Sequence, residues 1–281
     1  MRGAAVAAVL VFLASAGVGA QWLTYPTPGI PRLPDGKPNL NAPAPRTVDG
    51  KPDLSGIWRS DVPPRSPGNP DYFFDLAKDL PPAAVVMTPW ARGIQAQREQ
   101  RGHIDDPYGY CMPPGVPRSN VLAAPFKIVS TLAVTVMLFE TTGAQTFRQV
   151  FSDGRPLPDD PQPTWLGYSV GRWDGESFVV ETSGFKDGGW LDTEKGRPHS
   201  DALHVTERFR RTTFGRMEAV VTITDPKAYV RPWTVTLPFR LLPDTDILEM
   251  TCESHQRTME HRPTNPPPPE PPSPRLPGEA R

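Results

Sequence analysis

Several features that mark common functional classes are scarce or missing in this sequence. The 30 basic and 31 acidic residues nearly balance, whereas a nucleic-acid-binding protein usually has a strong basic excess. After residue 20, no segment is long and apolar enough to span a bilayer. No phosphate-binding or dinucleotide-binding glycine pattern stands between a strand and a helix. We therefore predict no nucleic-acid partner, no stable membrane insertion and no cofactor.

The first twenty residues have the order of a secretory signal peptide. A basic start at Arg2 is followed by an apolar run from Ala4 to Ala14 and by a small-residue exit that ends at Ala20. We predict cleavage after Ala20, which gives a periplasmic or secreted mature protein. An uncleaved membrane anchor is the alternative, but the apolar run is shorter than the roughly 20 residues of a spanning helix.

The chain has only two cysteines, Cys111 and Cys252. In an oxidising compartment such a pair predicts a disulfide. It would join the loop before the central strands to the end of the last strand. Two separate thiols are the alternative, because the sequence does not give the distance between them.

Proline, by contrast, is abundant, and the 38 prolines are placed very unevenly. Residues 21–52 form a Pro-rich arm with a short repeat, in which Asp35-Gly-Lys-Pro-Asn-Leu40 returns as Asp49-Gly-Lys-Pro-Asp-Leu54. Residues 261–281 are also Pro-rich and predict a disordered tail. The foldable part is therefore a single domain over residues 53–260.

A helix over about residues 89–101 has clear boundary signals. Thr88 can cap its start, and Pro89 suits the first helical position. Ile94 and Arg98 then follow at helical spacing. We predict that this helix separates the first strand from all the others.

Most of the remaining domain alternates between apolar and polar residues in short runs that end at turn residues. Asp174-Gly175 joins two runs into a hairpin, because this dipeptide readily takes the positive φ angles of a tight turn. So many strands would leave open edges unless the sheet closed or curled. We predict a mainly β protein, an antiparallel up-and-down barrel or strongly curved sheet of the lipocalin-like type. The predicted strands are 55–58, 126–130, 133–140, 146–151, 166–173, 176–183, 203–212, 216–224, 233–242 and 247–252.

Three stretches together resemble a large family of exported bacterial proteins of unknown function, abundant in soil bacteria such as acidobacteria. They are Pro52-Asp-Leu-Ser-Gly-Ile-Trp58, Phe151-Ser-Asp-Gly-Arg-Pro-Leu-Pro158 and Gly167-Tyr-Ser-Val-Gly-Arg-Trp-Asp-Gly175. The resemblance covers most of residues 22–260. It implies export but no activity, because none is established for that family.

A shorter stretch, Ser55-Gly-Ile-Trp58, is similar to the Gly-x-Trp start of lipocalin-type barrels. In those proteins the tryptophan closes one end of a barrel that holds a small apolar ligand. The resemblance favours a barrel, and it does not identify a ligand.

Glu207 is the most unusual residue of the predicted strand 203–212, because it shares a face with Leu203, Val205 and Phe209. A carboxylate inside a barrel needs a partner. We expect Arg172 or Arg240 on a neighbouring strand, or a ligand, to supply it.

Aromatic residues flank the hairpin, and aromatic rims with a few polar groups suit small apolar or sugar-like ligands. Aromatic residues also fill cores, which is the alternative. The function we favour is non-catalytic binding of such a ligand at the barrel mouth. The predicted ligand-binding residues are Trp165, Tyr168, Arg172, Trp190 and Glu207.

Two other hypotheses stay open. One is a periplasmic hydrolase or isomerase, with or without a metal, that uses His199, Asp201, His204 and Glu207, which have the ligand types that zinc accepts. His204 and Glu207 lie three apart on a strand and so point to opposite faces, which argues against a metal site. The other is an envelope protein that makes interactions through its Pro-rich ends. Ser169 in Gly167-Tyr-Ser-Val-Gly171 matches a nucleophile motif by letters, but it lies within a hairpin rather than at a strand-to-helix turn.

Overall fold

The computed structural model describes residues 26–61, 74–122, 124–141, 147–250 and 270–278. Within these ranges, nine strands pair in sequence order and close into one barrel, which confirms the mainly β barrel class. The strands are β1 Gly56–Ser60, β2 Phe126–Ser130, β3 Val134–Phe139, β4 Phe147–Phe151, β5 Tyr168–Asp174, β6 Ser177–Ser183, β7 His204–Thr213, β8 Arg216–Thr224 and β9 Trp233–Leu241. The helices are α1 Pro89–Gln100 and α2 Arg118–Val121, with single 3₁₀ turns at Pro82–Ala84 and Pro107–Tyr110.

Eight of the nine strand pairs that close the barrel are antiparallel, and β4 with β5 is parallel. Nine strands that alternated strictly would bring β1 and β9 together in the same direction. The Pro-rich connection 152–167 carries the chain over so that β5 starts in the direction of β4, since parallel neighbours need a long connection. The alternation is thereby reset, and β9 closes antiparallel on β1.

The predicted last strand, 247–252, is wrong for the residues that the structure describes. Residues 247–250 form no strand, because β9 already pairs with β8 on one side and β1 on the other. No sheet edge is left for a further strand. The segment instead runs from β2, where Lys127 pairs with Asp246, to the end of β3, where the Leu248 N–H donates to Glu140 at 2.8 Å.

Large apolar side chains meet in the middle of the barrel. Every second residue of β9 is buried, because successive side chains of a strand point to opposite faces. The ring of Phe239 lies 5.5 Å from that of Phe126 and 6.4 Å from that of Phe209. Trp58 on β1 is fully buried and donates its indole N–H to the carbonyl of Leu54 at 2.9 Å. The barrel is thus narrow enough for side chains from three strands to fill it.

The two copies of the repeat in the arm fold into the same turn. Gly36 and Gly50 both lie at positive φ, which glycine adopts without strain. Their carbonyls accept hydrogen bonds from Arg32 and Arg46, respectively. Each arginine also pairs with a carboxylate of the barrel, so each turn is fastened to the domain. The partners are Asp244 for Arg32 and Glu176 for Arg46.

Helix α1 begins as its sequence predicts, since the Thr88 hydroxyl accepts a hydrogen bond from the Ala91 N–H at 3.3 Å. Its buried face carries Ala91, Ile94 and Arg98. Among the described residues, no helix combines the length and the apolar character needed to cross a membrane.

Two of the sequence predictions lie outside the described ranges. The signal peptide, residues 1–20, is one of them. The other is the disulfide between Cys111 and Cys252. Cys252 is not among the described residues, so this pairing stays a prediction. Of the predicted disordered tail, residues 270–278 are described, and they lie against α1 and the loop between β6 and β7.

Candidate functional site

Glu207 lies inside the barrel, as its position in the strand predicts, and it is fully buried. Its partner is Arg148 of β4, whose Nη2 lies 2.6 Å from the Glu207 Oε2. The prediction that Arg172 or Arg240 is the partner is wrong, because both lie on the outer face. There Arg172 pairs with Glu181, and Arg240 pairs with Asp61. The sequence did not indicate Arg148 because Phe147 and Phe151 share the opposite face of β4, so alternation favours the phenylalanines as the inward residues.

A hydrogen-bond network surrounds this buried ion pair. Arg148 also donates to the hydroxyl of Ser169 at 3.0 Å and to that of Thr182 at 2.8 Å. Asn120, on the short helix α2, donates to the other Glu207 oxygen at 2.7 Å. The Asn120 carbonyl oxygen accepts no hydrogen bond from the described residues. The network therefore ties α2 to four strands, and each charge in it is met by a partner.

The five predicted ligand-binding residues do not come together. Trp165 and Trp190 border one narrow crevice beside His199. The Tyr168 ring instead stacks on Phe151, with 5.3 Å between the ring centroids. Arg172 is exposed on the outside of the barrel, and Glu207 is sealed inside it.

The four residues considered for a metal site are also spread out. His199 is buried in the loop before β7, where its ring packs against Phe185 with 5.6 Å between centroids. His204 lies on the outer face of β7, Glu207 on the inner face, and Asp201 pairs with Lys227 at 2.8 Å. Within the described ranges, no group of three or more His, Cys, Asp or Glu side chains could hold a metal ion.

Burial lowers the pKa of His199 below its ordinary value of 6.5. The Ser200 carbonyl and the carboxylates of Asp225 and Asp187 act in the opposite direction, and Arg98 reinforces the lowering. The folded protein therefore keeps this imidazole neutral at pH values where the unfolded chain has begun to protonate it. The stability that depends on neutral His199 is lost as the pH falls below 6.5 toward the lowered pKa.

We expect His199→Gln to lose less stability than the wild type between about pH 7.5 and about pH 5.5. Thermal unfolding at the two pH values measures the difference. His204→Gln, which removes a half-exposed imidazole from the outer face of β7, is the control and should lose as much as the wild type. Equal losses for wild type and His199→Gln would contradict the prediction.

A groove of about 1090 Å³ lies at the end of the barrel that the arm covers. Its walls come from arm residues 26–30, from the start of β1 and from residues 241, 242, 245 and 246. Sites for small molecules typically have about 300–1,000 Å³ and are mostly apolar with a few polar groups. We call this feature the end groove. Sequence reasoning missed it because it forms only where the arm meets the barrel.

Arg211 of β7 contributes to the end groove but is only 5% exposed. Its guanidinium donates to the backbone carbonyls of Asp53, Ser55 and Phe214, and it lies 4.8 Å from the centre of the Trp58 ring. No carboxylate among the described residues forms an ion pair with it. Burial lowers the pKa of Arg211 to about 10, although the charge of Asp53 opposes this. Through these hydrogen bonds Arg211 fastens the segment that leads into β1 to the end of β7.

The other charges of the end groove are also satisfied. Lys127 pairs with Asp246 at 2.9 Å, and the Asp53 carboxylate accepts a hydrogen bond from the Ser55 N–H at 2.8 Å. Two cations and two carboxylates thus border the groove and balance one another.

Comparison of the chain with protein families, with curated proteins and with solved structures found no match. The class of the protein is therefore defined by its own fold, a closed nine-stranded barrel with a filled interior. Its candidate sites are the buried polar network and the end groove.

Proposed function

We propose that the protein binds a small, neutral, largely apolar molecule in the end groove and does no chemistry on it. The observation that carries the proposal is the volume of the end groove, about 1090 Å³, together with its charged groups, which balance in number and already have hydrogen-bond partners within the protein. The one cation among the described lining residues that lacks an ion pair is Arg211, which is 5% exposed and already donates to three backbone carbonyls. An ionised ligand would therefore enter a groove whose charged groups already have hydrogen-bond partners. A neutral ligand leaves the existing pairs intact.

The aromatic residues of the chain support an apolar ligand over a sugar-like one. Sugars usually bind against aromatic faces, and Phe214 is the one aromatic residue among the described residues that line the groove. Trp165 and Trp190 lie elsewhere, against Lys186 and Arg98. The proposal also includes export, so the protein would meet its ligand in the periplasm or outside the cell.

The enzyme hypothesis has less support. His199, His204 and Glu207 face three different environments, and a shared reaction would need them within hydrogen-bond reach of one substrate. Glu207 is also fully buried and held by Arg148 and Asn120.

We expect a fluorescent long-chain alcohol to bind the full chain saturably, at one molecule per chain. The matching carboxylic acid should bind at least about tenfold more weakly, a difference of about 1.4 kcal/mol. A disaccharide at the same concentration should not displace the alcohol. Fluorescence titration measures all three, and equal or tighter binding of the acid would contradict the neutral-ligand proposal.

Blocking the groove tests its location. Thr245 lines the groove and is half-buried, so Thr245→Trp should fill it and abolish binding of the alcohol. Thr236→Trp places the same ring on the exposed outer face of β9 and should leave binding unchanged. Retention of binding in Thr245→Trp, with both variants folded by circular dichroism, would place the ligand elsewhere.

A further inference from the structure

Residues 270–278 near the carboxyl end of the chain occupy a surface formed by α1 and the loop between β6 and β7. Glu270, Pro271 and Ser273 each make a hydrogen bond to that surface. The surface is separate from the end groove, and no residue lines both.

Glu270 makes the strongest of these contacts. Its two carboxylate oxygens accept hydrogen bonds from Nε and Nη2 of Arg98, each at 2.7 Å. Arg98 is 1% exposed, and the ring of Trp190 lies 4.5 Å from its guanidinium carbon. The carbonyls of Gly189 and Gly196 accept hydrogen bonds from the other terminal nitrogen, Nη1. The guanidinium is thus fixed in place, and a forked pair with a carboxylate is both strong and geometrically selective.

Ser273 provides the second point of recognition. Residues 271, 272 and 274 are prolines, so Ser273 has the one backbone N–H between Glu270 and Arg275. That N–H donates to Asp187 at 2.9 Å, and the Ser273 hydroxyl donates to Asp201 at 3.2 Å. The surface therefore uses the one backbone donor that this stretch has.

The spacing of the contacts fits a proline-rich ligand. A polyproline helix has three residues per turn, so Glu270 and Ser273 lie on the same side of it. Trp90 of α1 donates its indole N–H to the Pro271 carbonyl at 3.3 Å, between these two contacts. Surfaces that bind proline-rich segments are commonly lined by aromatic residues, and such a segment loses little entropy on binding because it is already extended.

We propose that this surface is a binding site for acidic, proline-rich peptides of the form Glu-Pro-Pro-Ser-Pro, which the chain's own tail occupies. Arg98 selects the glutamate, and Asp187 and Asp201 select the serine. The tail is tethered to the domain, so its effective concentration at the site is on the order of millimolar. A separate peptide must compete with it and binds tightly only when the tail is weakened.

The test uses full-length chains and a fluorescein-labelled peptide of residues 268–278. Glu270→Gln in the chain removes the charge that Arg98 binds, so the peptide should bind that variant at least about tenfold more tightly than the wild type. Arg275→Gln is the matched control, since Arg275 forms no ion pair with another described residue. This control should bind the peptide as the wild type does. A peptide that carries Glu270→Gln itself should bind none of the chains.

Fluorescence anisotropy titration measures the affinity of the labelled peptide for each chain. Absence of saturable binding to the Glu270→Gln chain, or equal affinity for that chain and the wild type, would overturn the proposal. A second measurement follows the indole N–H resonance of Trp90, assigned by its loss in Trp90→Phe. This resonance should move in Glu270→Gln, return when the unlabelled peptide is added and stay in place in Arg275→Gln. A resonance that is the same in all full-length chains would also overturn the proposal.

Discussion

Replacing Arg148 by methionine is expected to lower the free energy of unfolding by about 3–5 kcal/mol, because it leaves the Glu207 carboxylate buried without its cation. Both side chains are almost fully shielded from water, so solvent cannot replace the lost partner. The double variant Arg148→Met/Glu207→Leu should recover much of the loss, since it removes both charges and keeps apolar volume. Urea denaturation measures the three free energies.

The control for this prediction is Arg172→Met, which breaks an ion pair with Glu181 on the outer face of the barrel. Exposed pairs contribute about 0–1 kcal/mol, so this variant should stay close to the wild type. If Arg148→Met is no more destabilised than Arg172→Met, the buried pair does not hold the barrel together as described.

Replacing Gly171 by alanine is expected to cost about 1–3 kcal/mol of unfolding free energy through overpacking. An added Cβ would lie 2.4 Å from the Phe178 ring and 2.8 Å from Val150. Replacing Phe178 by the smaller leucine should relieve the clash, so the effects of Gly171→Ala and Phe178→Leu on the free energy of unfolding should not add in a double-mutant cycle. Gly93→Ala is the control, because nothing lies within 4 Å of its added Cβ on the exposed side of α1.

In the control, alanine should raise stability by about 0.5–1 kcal/mol, since glycine is costly inside a helix. Denaturation of the four variants alongside the wild type measures these differences. If Gly171→Ala leaves the free energy of unfolding unchanged, the barrel relaxes locally around β5 and β6.

The same geometry explains the letters Gly167-Tyr-Ser-Val-Gly171. Ser169 accepts a hydrogen bond from Arg148 inside the barrel, and Gly171 leaves room for Phe178. Gly167 lies at positive φ beside Thr182 and Phe185. The two glycines and the serine of the pattern are thus each explained by the packing of the barrel.

Alternation and turn chemistry were enough to predict the barrel, its helix and the inward position of Glu207. These are local signals, since a strand repeats every two residues and Gly175, at positive φ, starts the tight turn between β5 and β6. The turn residues are Gly175 and Glu176 rather than the predicted Asp174-Gly175, because Asp174 still belongs to β5 and pairs with Ser177. The extra strand over 247–252 was predicted because local alternation says nothing about whether a sheet edge is free. Closure between β1 and β9 decides that, and it joins residues far apart in the chain.

The sites depended on long-range contacts and were therefore poorly predicted. Arg148 reaches Glu207 across the barrel, and no spacing in the sequence pairs them. The end groove needs the arm and the barrel together. Arg98 gave one usable signal, because a charged residue at helical spacing from buried Ile94 indicates a specific partner.

The single parallel pair in the barrel limits how related chains can differ in length. Adding or losing a whole hairpin leaves the direction of every other strand unchanged, so the ring still closes with β1 and β9 antiparallel. Adding or losing one strand reverses all the strands after it, unless a second long connection like 152–167 arises at the same time. Insertions and deletions in this barrel should therefore come in pairs of strands. A circular permutant that is cut within 152–167 keeps all nine strands and should fold more readily than a variant with one strand added or removed.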